Sequence, residues 1–342
     1  MNGMEHVTRT VAVLSMRKAA VLALRMAAVL AMAGLFAPGA FSQDYPSKRI
    51  TFIVGYGAGG GIVDVSAHAL ADKLERRLGQ PVTIDYRPGG QSQIAFEAVN
   101  RAPPDGYTLG FATIGLLTLP LNNKSYQLDP LTDLTPVALT TGSAYPLVLI
   151  GSAKAPFKNL AEFVAYARAN PGRATIGAVG TSMEMEVAML GQRGGFKPTT
   201  VPYKGNTPME VDVIVGDLLA GLTSYTSVKG HIDSGRMLLL GVGSRERAPN
   251  IPNAPAISEA IPGQEITSFW FGVIAPPRTP APIVNRLSDA IVSGMSEPDV
   301  AAAFDKIGLK PMPMNTADFR AFITREKARF TEAANLIGLK PQ

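Results

Sequence analysis

The 342-residue chain contains no cysteine, which excludes disulfides, zinc–thiolate sites, a thiol nucleophile and an acylated lipoprotein cysteine. Histidine is scarce as well: beyond residue 42 only His68 and His231 remain. No serine sits in G-x-S-x-G, and neither histidine sits in H-E-x-x-H. His68 has Asp64 one helical turn before it, but that pair lacks a third metal ligand. A nucleophilic triad and a catalytic metal are therefore not expected, and neither a catalytic residue nor a cofactor is assigned. There is also no basic block with interleaved aromatics. The pair Arg76-Arg77 reads as a solvated helix end, and nucleic acid is not an expected partner.

The apolar run Met26 to Phe36 has eleven residues, too few for a hydrocarbon core that requires roughly 20. Arg17, Lys18 and Arg25 precede it, and small residues around Ala40-Phe41-Ser42 follow it, so residues 1–42 read as a secretory signal cleaved after Ser42. Removing them takes away Arg9, Arg17, Lys18, Arg25 and Glu5, and lowers the formal charge from +5 by 3 to +2. The 300 residues left of 342 suffice for two cores, since domains typically run to about 100–150 residues. An exported chain without disulfides is stabilised by packing.

Strand and helix patterns alternate, which argues for open α/β sheets. Helical periodicity covers Ile62–Leu78, Leu160–Asn170, Met183–Arg193, Ile283–Met295 and Ala317–Leu336; strand character covers Ile50–Val54, Val82–Asp85, Leu109–Thr113, Leu147–Ile150, Thr175–Ala178 and Leu238–Val242. Gly79 closes the first helix, Ser296 to Asp299 has the form of a capping box, and Asn315-Thr316 offers a cap to the last helix. Two extended segments, Thr135–Ile150 and Ile266–Ala275, are long enough to pass between lobes. The expected organisation is one lobe from 43–143 and 268–342 and a second from 144–267, with a cleft between them.

The most informative stretch is Arg49 to Leu78, in which an apolar strand leads through Gly55-Tyr56-Gly57-Ala58-Gly59-Gly60-Gly61 into an amphipathic helix. Glycines admit positive φ and close backbone approach, and a helix start adds free N–H groups and partial positive charge, so this turn suits an anion. Gly55, Gly57 and Gly60 also satisfy G-x-G-x-x-G, with Asp85 placed as a ribose-binding carboxylate. An exported protein meets little nicotinamide, which weighs against that alternative.

From Tyr45 onward the chain resembles the Bug-type extracytoplasmic solute receptors of tripartite tricarboxylate transporters. The resemblance is carried by YPSKRITFIVGYGAGGGIVD at 45–64, RPGGQSQIAFEAVNRAPPDGYTL at 87–109, GTS at 180–182, VPYKGNTP at 201–208 and FWFGVIAPPRTP at 269–280. It implies a type II periplasmic-binding fold whose two α/β lobes, joined by two crossover segments, close over a small organic carboxylate, and it implies a membrane permease as partner to a monomeric receptor. Onto this sequence it carries Tyr56 to Gly61 and Asp64, Thr113, Ile114 and Gly115, then Gly180, Thr181 and Ser182, then Tyr203, Lys204 and Gly205, and finally Thr223 and Ser224.

Several positions depart from the family pattern. Glu184 stands where Gly-Thr-Ser-x-His has histidine, Leu222-Thr223-Ser224 replaces Phe-Asp-Asn, and Gly57-Ala58-Gly59-Gly60 replaces a proline-led turn. An acid missing at Thr223 would disfavour an amino-acid ligand, whose ammonium needs a carboxylate. Asp64 either stabilises its helix start or orients the loop, and His68 is expected to partner it at the surface. Phe269, Trp270 and Phe271 either stack on a ring-bearing ligand or pack between lobes. Met183, Met185 and Met189 read as one packing face. An exported hydrolase and an adhesive protein are the competing classes. The hydrolase lacks its motif, and adhesion leaves both anion-suited turns unexplained.

Overall fold

The computed structural model describes residues 45–59, 61–143, 145–266, 269–306 and 308–341, and the signal expected at 1–42 lies outside them. Residues 48–342 form one compact unit. Its chain builds two separate open sheets. The first holds β1 (Ile50–Val54), β2 (Val82–Tyr86), β3 (Thr108–Ala112), β4 (Thr135–Ser143), β10 (Trp270–Ala275) and β11 (Leu309–Met314), in the order β11-β4-β10-β3-β1-β2. The second holds β5 (Leu147–Ser152), β6 (Thr175–Val179), β7 (Thr199–Tyr203), β8 (Ala220–Ser224) and β9 (Met237–Val242), in the order β7-β6-β8-β5-β9.

The helices are α1 (Gly61–Leu78), α2 (Gln93–Asn100), α3 (Gly115–Asn122), α4 (Leu160–Ala169), α5 (Thr181–Gly194), α6 (Asn206–Val215), α7 (Tyr225–Asp233), α8 (Ala281–Met295), α9 (Pro298–Asp305) and α10 (Thr316–Leu336). Within each sheet three neighbouring strands run parallel, β2-β1-β3 in one and β7-β6-β8 in the other, and each is followed directly by a helix. Six helix starts thus stand at the carboxyl ends of parallel strands, the place where open α/β sheets bind ligands.

The two extended segments form strands. The first divides into β4 in one sheet and β5 in the other; the second becomes β10, inserted antiparallel between β3 and β4. The expected lobe boundaries fall on residues 144, 267 and 268, which are outside the described set. The capping box expected at 296–299 does not form: Ser296 ends α8, and Glu297 precedes a helix that opens on Pro298. Glu297 and Asp299 instead both bind Lys73 of α1. Asn315 does cap α10, accepting from the Asp318 amide at 3.0 Å.

Core packing links the two sheets' helices. Met185 and Met189 of α5 are fully buried in a cluster with Leu116, Trp270, Phe319 and Phe330 from elements of the first sheet. Met185 and Met189 thus share one packing surface, whereas Met183, expected on the same face, is half-buried against a separate cluster with Val187 and Leu190. Trp270 lies edge-on to Phe319 and Phe322, with ring centroids 5.8 and 5.4 Å away. Trp270 and Phe271 are accordingly core side chains.

Candidate functional site

Three turns close on one another at the carboxyl ends of β1, β2 and β3. A methyl group on Gly55 would meet Ser92 Cβ at 2.4 Å, and one on Gly115 would meet the Gln91 carbonyl at 3.0 Å, so both positions need glycine for contact rather than for φ. The middle turn is wound tightly, with positive φ at Gly89, Gly90, Gln91 and Ser92. In the first turn Tyr56 to Gly59 are exposed, and Gly59 has φ 127°. Gly60 lies outside the described residues. The proposed ribose acid, Asp85, is bound by Arg87 at 2.8 Å. Thr113 is buried, and its Oγ1 accepts from the Gly115 amide at 3.3 Å; Ile114 beside it is half-buried and stands at the N-cap position of α3 without a side-chain cap.

Asp64 stands in the first turn of α1 and accepts a short hydrogen bond from Tyr86 at the end of β2. His68 Nε2 lies 3.0 Å from the same phenol oxygen and 3.7 Å from Asp64. His68 is thus the surface partner expected for Asp64, which sits in the first turn of α1. Tyr86 was not foreseen. Partial burial, then the Asp64 carboxylate, pushes its phenol up to about 12, so it donates across the whole physiological range.

The second sheet presents a matching row. Val179 of β6 is level with Tyr203 of β7, and the β6–β8 register, Gly177 against Gly221, continues to set Gly180 level with Ser224. Gly180 (φ 77°), Gly205 and Ser224 are the N-caps of α5, α6 and α7, and none gives its helix a side-chain cap. Helices α2 and α3 of the first sheet are uncapped in the same way. In contrast α4 and α10 start on asparagines that do cap. The first amides of α2 and α3 are already engaged, Gln93 N–H by the Gly90 carbonyl and Gly115 N–H by Thr113 Oγ1; the other N–H groups of starts without a side-chain cap remain for a ligand, and the helix dipoles favour an anion.

Not every expected hydroxyl is free to meet a ligand. Tyr203 donates a short hydrogen bond to Asp212 of α6, and partial burial, then Asp212, pushes its phenol up to about 12. Thr223 Oγ1 donates to Glu210 at 2.8 Å, and Ser227 donates to the same oxygen at 2.7 Å. Ser224 Oγ pairs with Thr226 at 2.8 Å. Glu210 matters for the departure at position 223: the strand lacks an acid, but the neighbouring helix supplies one in direct contact.

Thr181 and Ser182 begin α5, and Thr181 lines a cavity of about 380 Å3 with Gly90, Gln91, Asn122 and Lys340. Of the residues expected from sequence, Thr181 is the one on this cavity's wall. The pattern Arg87 to Ser92 lay within the resembling segments, and its paired glycines were the available signal for Gly90 and Gln91. Nothing local marked Asn122 or Lys340, which reach the cavity from the end of α3 and the segment after α10. Glu184, in the histidine position, lines a neighbouring cavity with Thr200 and residues 337–341. Among the described residues no cluster of three potential metal ligands occurs, and no helix is long and apolar enough to cross a membrane.

Comparison with known proteins places these features in a wider set. The model of the family described as "TctC: Tripartite tricarboxylate transporter family receptor" matches residues 66–339. A UPF0065 protein of Bordetella bronchiseptica is 32% identical over 318 residues, covering 91% of this chain and 92% of its own. A TctC solute binding protein from Polaromonas superposes with a TM-score of 0.75 at 26% identity, over 86% of this chain and 99% of that one. Rpa4515 of R. palustris, solved with adipate, gives a TM-score of 0.65 at 30% identity, over 87% of this chain and all (100%) of its own.

Proposed function

Because the chain belongs to the tripartite tricarboxylate transporter receptor family, we propose that it is an exported receptor that captures a small organic carboxylate and does not transform it. The observation that carries this reading is the pair of uncapped helix rows at the strand ends of two sheets, with Thr181 at the start of α5 sharing one cavity with the Gly90-Gln91 turn. Backbone amides there meet the needs of a carboxylate without a bound cation.

Capture would proceed by closure of two lobes, one from 43–143 and 268–342 and the other from 144–267. The open form admits the solute, donors from both sides complete its shell, and the difference in contacts between the forms populates the closed one. Four charge-assisted hydrogen bonds contribute roughly 6–12 kcal/mol gross. Micromolar binding, about −8 kcal/mol, then requires some apolar burial as well, because ordering costs come off that sum.

The remaining parts of the reading follow the family: export with cleavage near Ser42, action as a monomer in the periplasm, and delivery to a tripartite tricarboxylate-type permease or a sensor. Calorimetry of the purified protein over a panel of small carboxylic acids tests it. Saturable heat with one or a few acids is expected. A flat response together with turnover of any substrate, or a retained nicotinamide, would sink the proposal.

A further inference from the structure

Glu210, in the second turn of α6, is only 8% exposed. Its Oε1 accepts from the hydroxyls of Thr223 and Ser227, and Oε2 accepts no hydrogen bond within the described residues. No lysine, arginine or histidine among them lies at ion-pair distance. The two hydroxyl donors of Glu210 are neutral, so the carboxylate has no counter-charge within reach among the described residues.

The position of this carboxylate is as telling as its lack of a cation. Thr223 immediately precedes Ser224, the N-cap residue of α7, and lies two residues beyond Gly221, which pairs with Gly177 of β6, the strand that leads into α5. Glu210 therefore stands behind the same row of strand ends that supplies the anion-suited helix starts. Ser227, which donates to it, is exposed, so the group lies close to the open face of that row. A carboxylate here repels a second carboxylate and attracts a cation.

We propose that Glu210, with Thr223 and Ser227, forms a subsite for a protonated amine, so that the solute of this receptor carries an ammonium group beside its carboxylate. This rests on the receptor reading above and narrows it. The amide rows hold the acid end of the solute, and Glu210 gains the cation it lacks. Helix α7 is then the least suited of the three starts in its row to take the solute's carboxylate, because Glu210 already occupies its field.

The test is calorimetry of the whole protein with succinate, malate and aspartate, which share one carbon skeleton and differ at C2 by hydrogen, hydroxyl or ammonium. Matched pairs of glutarate with glutamate and 3-phenylpropionate with phenylalanine extend the size range. The expected result is at least tenfold tighter binding of the amine member in the pair that fits. In Glu210→Gln that preference should fall to threefold or less, while the unaminated acid binds as well as before or better. Equal or tighter binding of the unaminated acid by the wild-type protein overturns the subsite, and so does a Glu210→Gln variant that keeps the preference. The wild-type comparison decides the matter even where the variant folds poorly. Heat from none of the acids defeats the receptor reading instead, so the two failures are distinguishable.

Discussion

Arg329 of α10 and Glu186 of α5 meet as a two-pronged ion pair, with Nη1 2.8 Å from Oε2 and Nη2 2.8 Å from Oε1. Glu186 is fully buried, and Arg329 also bonds Glu326 at 3.1 Å. Burial works against the guanidinium's charge, but Glu186 and then Glu326 outweigh it and hold Arg329 firmly protonated. The pair fixes the middle of the helix whose first residue, Thr181, lines the cavity. Arg329→Met deprives a buried carboxylate of its guanidinium, at an expected cost of about 3–5 kcal/mol in urea unfolding. Replacing Glu186 by Met at the same time should recover most of that loss, since the buried charge is gone.

The Lys73 cluster sets a pH dependence. Its Nζ lies 2.6 Å from both Glu297 and Asp299. Lys73, then Arg77, holds the Glu297 carboxyl below its ordinary range, and Lys73 does the same for Asp299. With folded values depressed, the unfolded chain takes up protons first. The stabilisation is therefore complete above about pH 4.5 and is lost as pH falls through the folded values. Lys73 itself is raised by Asp299, then Glu297, so its own share is complete below about pH 10 and is lost only above that. Melting temperatures of wild type and Lys73→Met should differ most at pH 6–7 and converge toward pH 3.

Gly55 tests the clasp between the first two turns. A Cβ there would stand 2.8 Å from Ser92 Cα as well as 2.4 Å from its Cβ. Gly55→Ala should cost about 1–3 kcal/mol by overpacking. Ser92 has φ 78°, a value that glycine adopts freely, so Ser92→Gly should be tolerated alone and should relieve Gly55→Ala in part in the double variant, since the Cα of residue 92 still stands 2.8 Å from the new methyl. Thermal melts of the three variants check this ordering.

Thr181→Val removes one hydroxyl from the cavity wall while leaving the backbone of α5 in place. Binding of the tightest acid in the panel should weaken about 3–10-fold, the range for one ordinary hydrogen bond. Stability should stay within about 0.5 kcal/mol of wild type. Unchanged affinity would remove Thr181 from the binding surface.

Much of the site's framework was legible because its causes are local. An apolar run, clustered glycines and a 3.6-residue period place β1, its turn and α1 without reference to the rest of the chain, and Asn315 caps α10 through a bond spanning three residues. Helices α2, α3, α6 and α7 were harder to read, being only 8–10 residues long. Pro120 lies inside α3, where tertiary packing overrides a residue that ordinarily ends a helix.

The partners of the polar groups were not legible, and the reason is physical. Whether Tyr86 reaches Asp64, whether Thr223 meets Glu210, and whether Arg329 finds Glu186 depends on how strands order within a sheet and how helices settle on it. Those arrangements join residues 22, 13 and 143 positions apart. Composition and local pattern alone determined the α/β alternation, the anion-suited turns and the class of chemistry that the absent residues exclude. Only the packed chain decided which hydroxyls are already engaged, which helix starts stay uncapped, and that an acid missing from β8 is restored by its neighbour α6, because a side chain's electrostatic surroundings are assembled by tertiary contact.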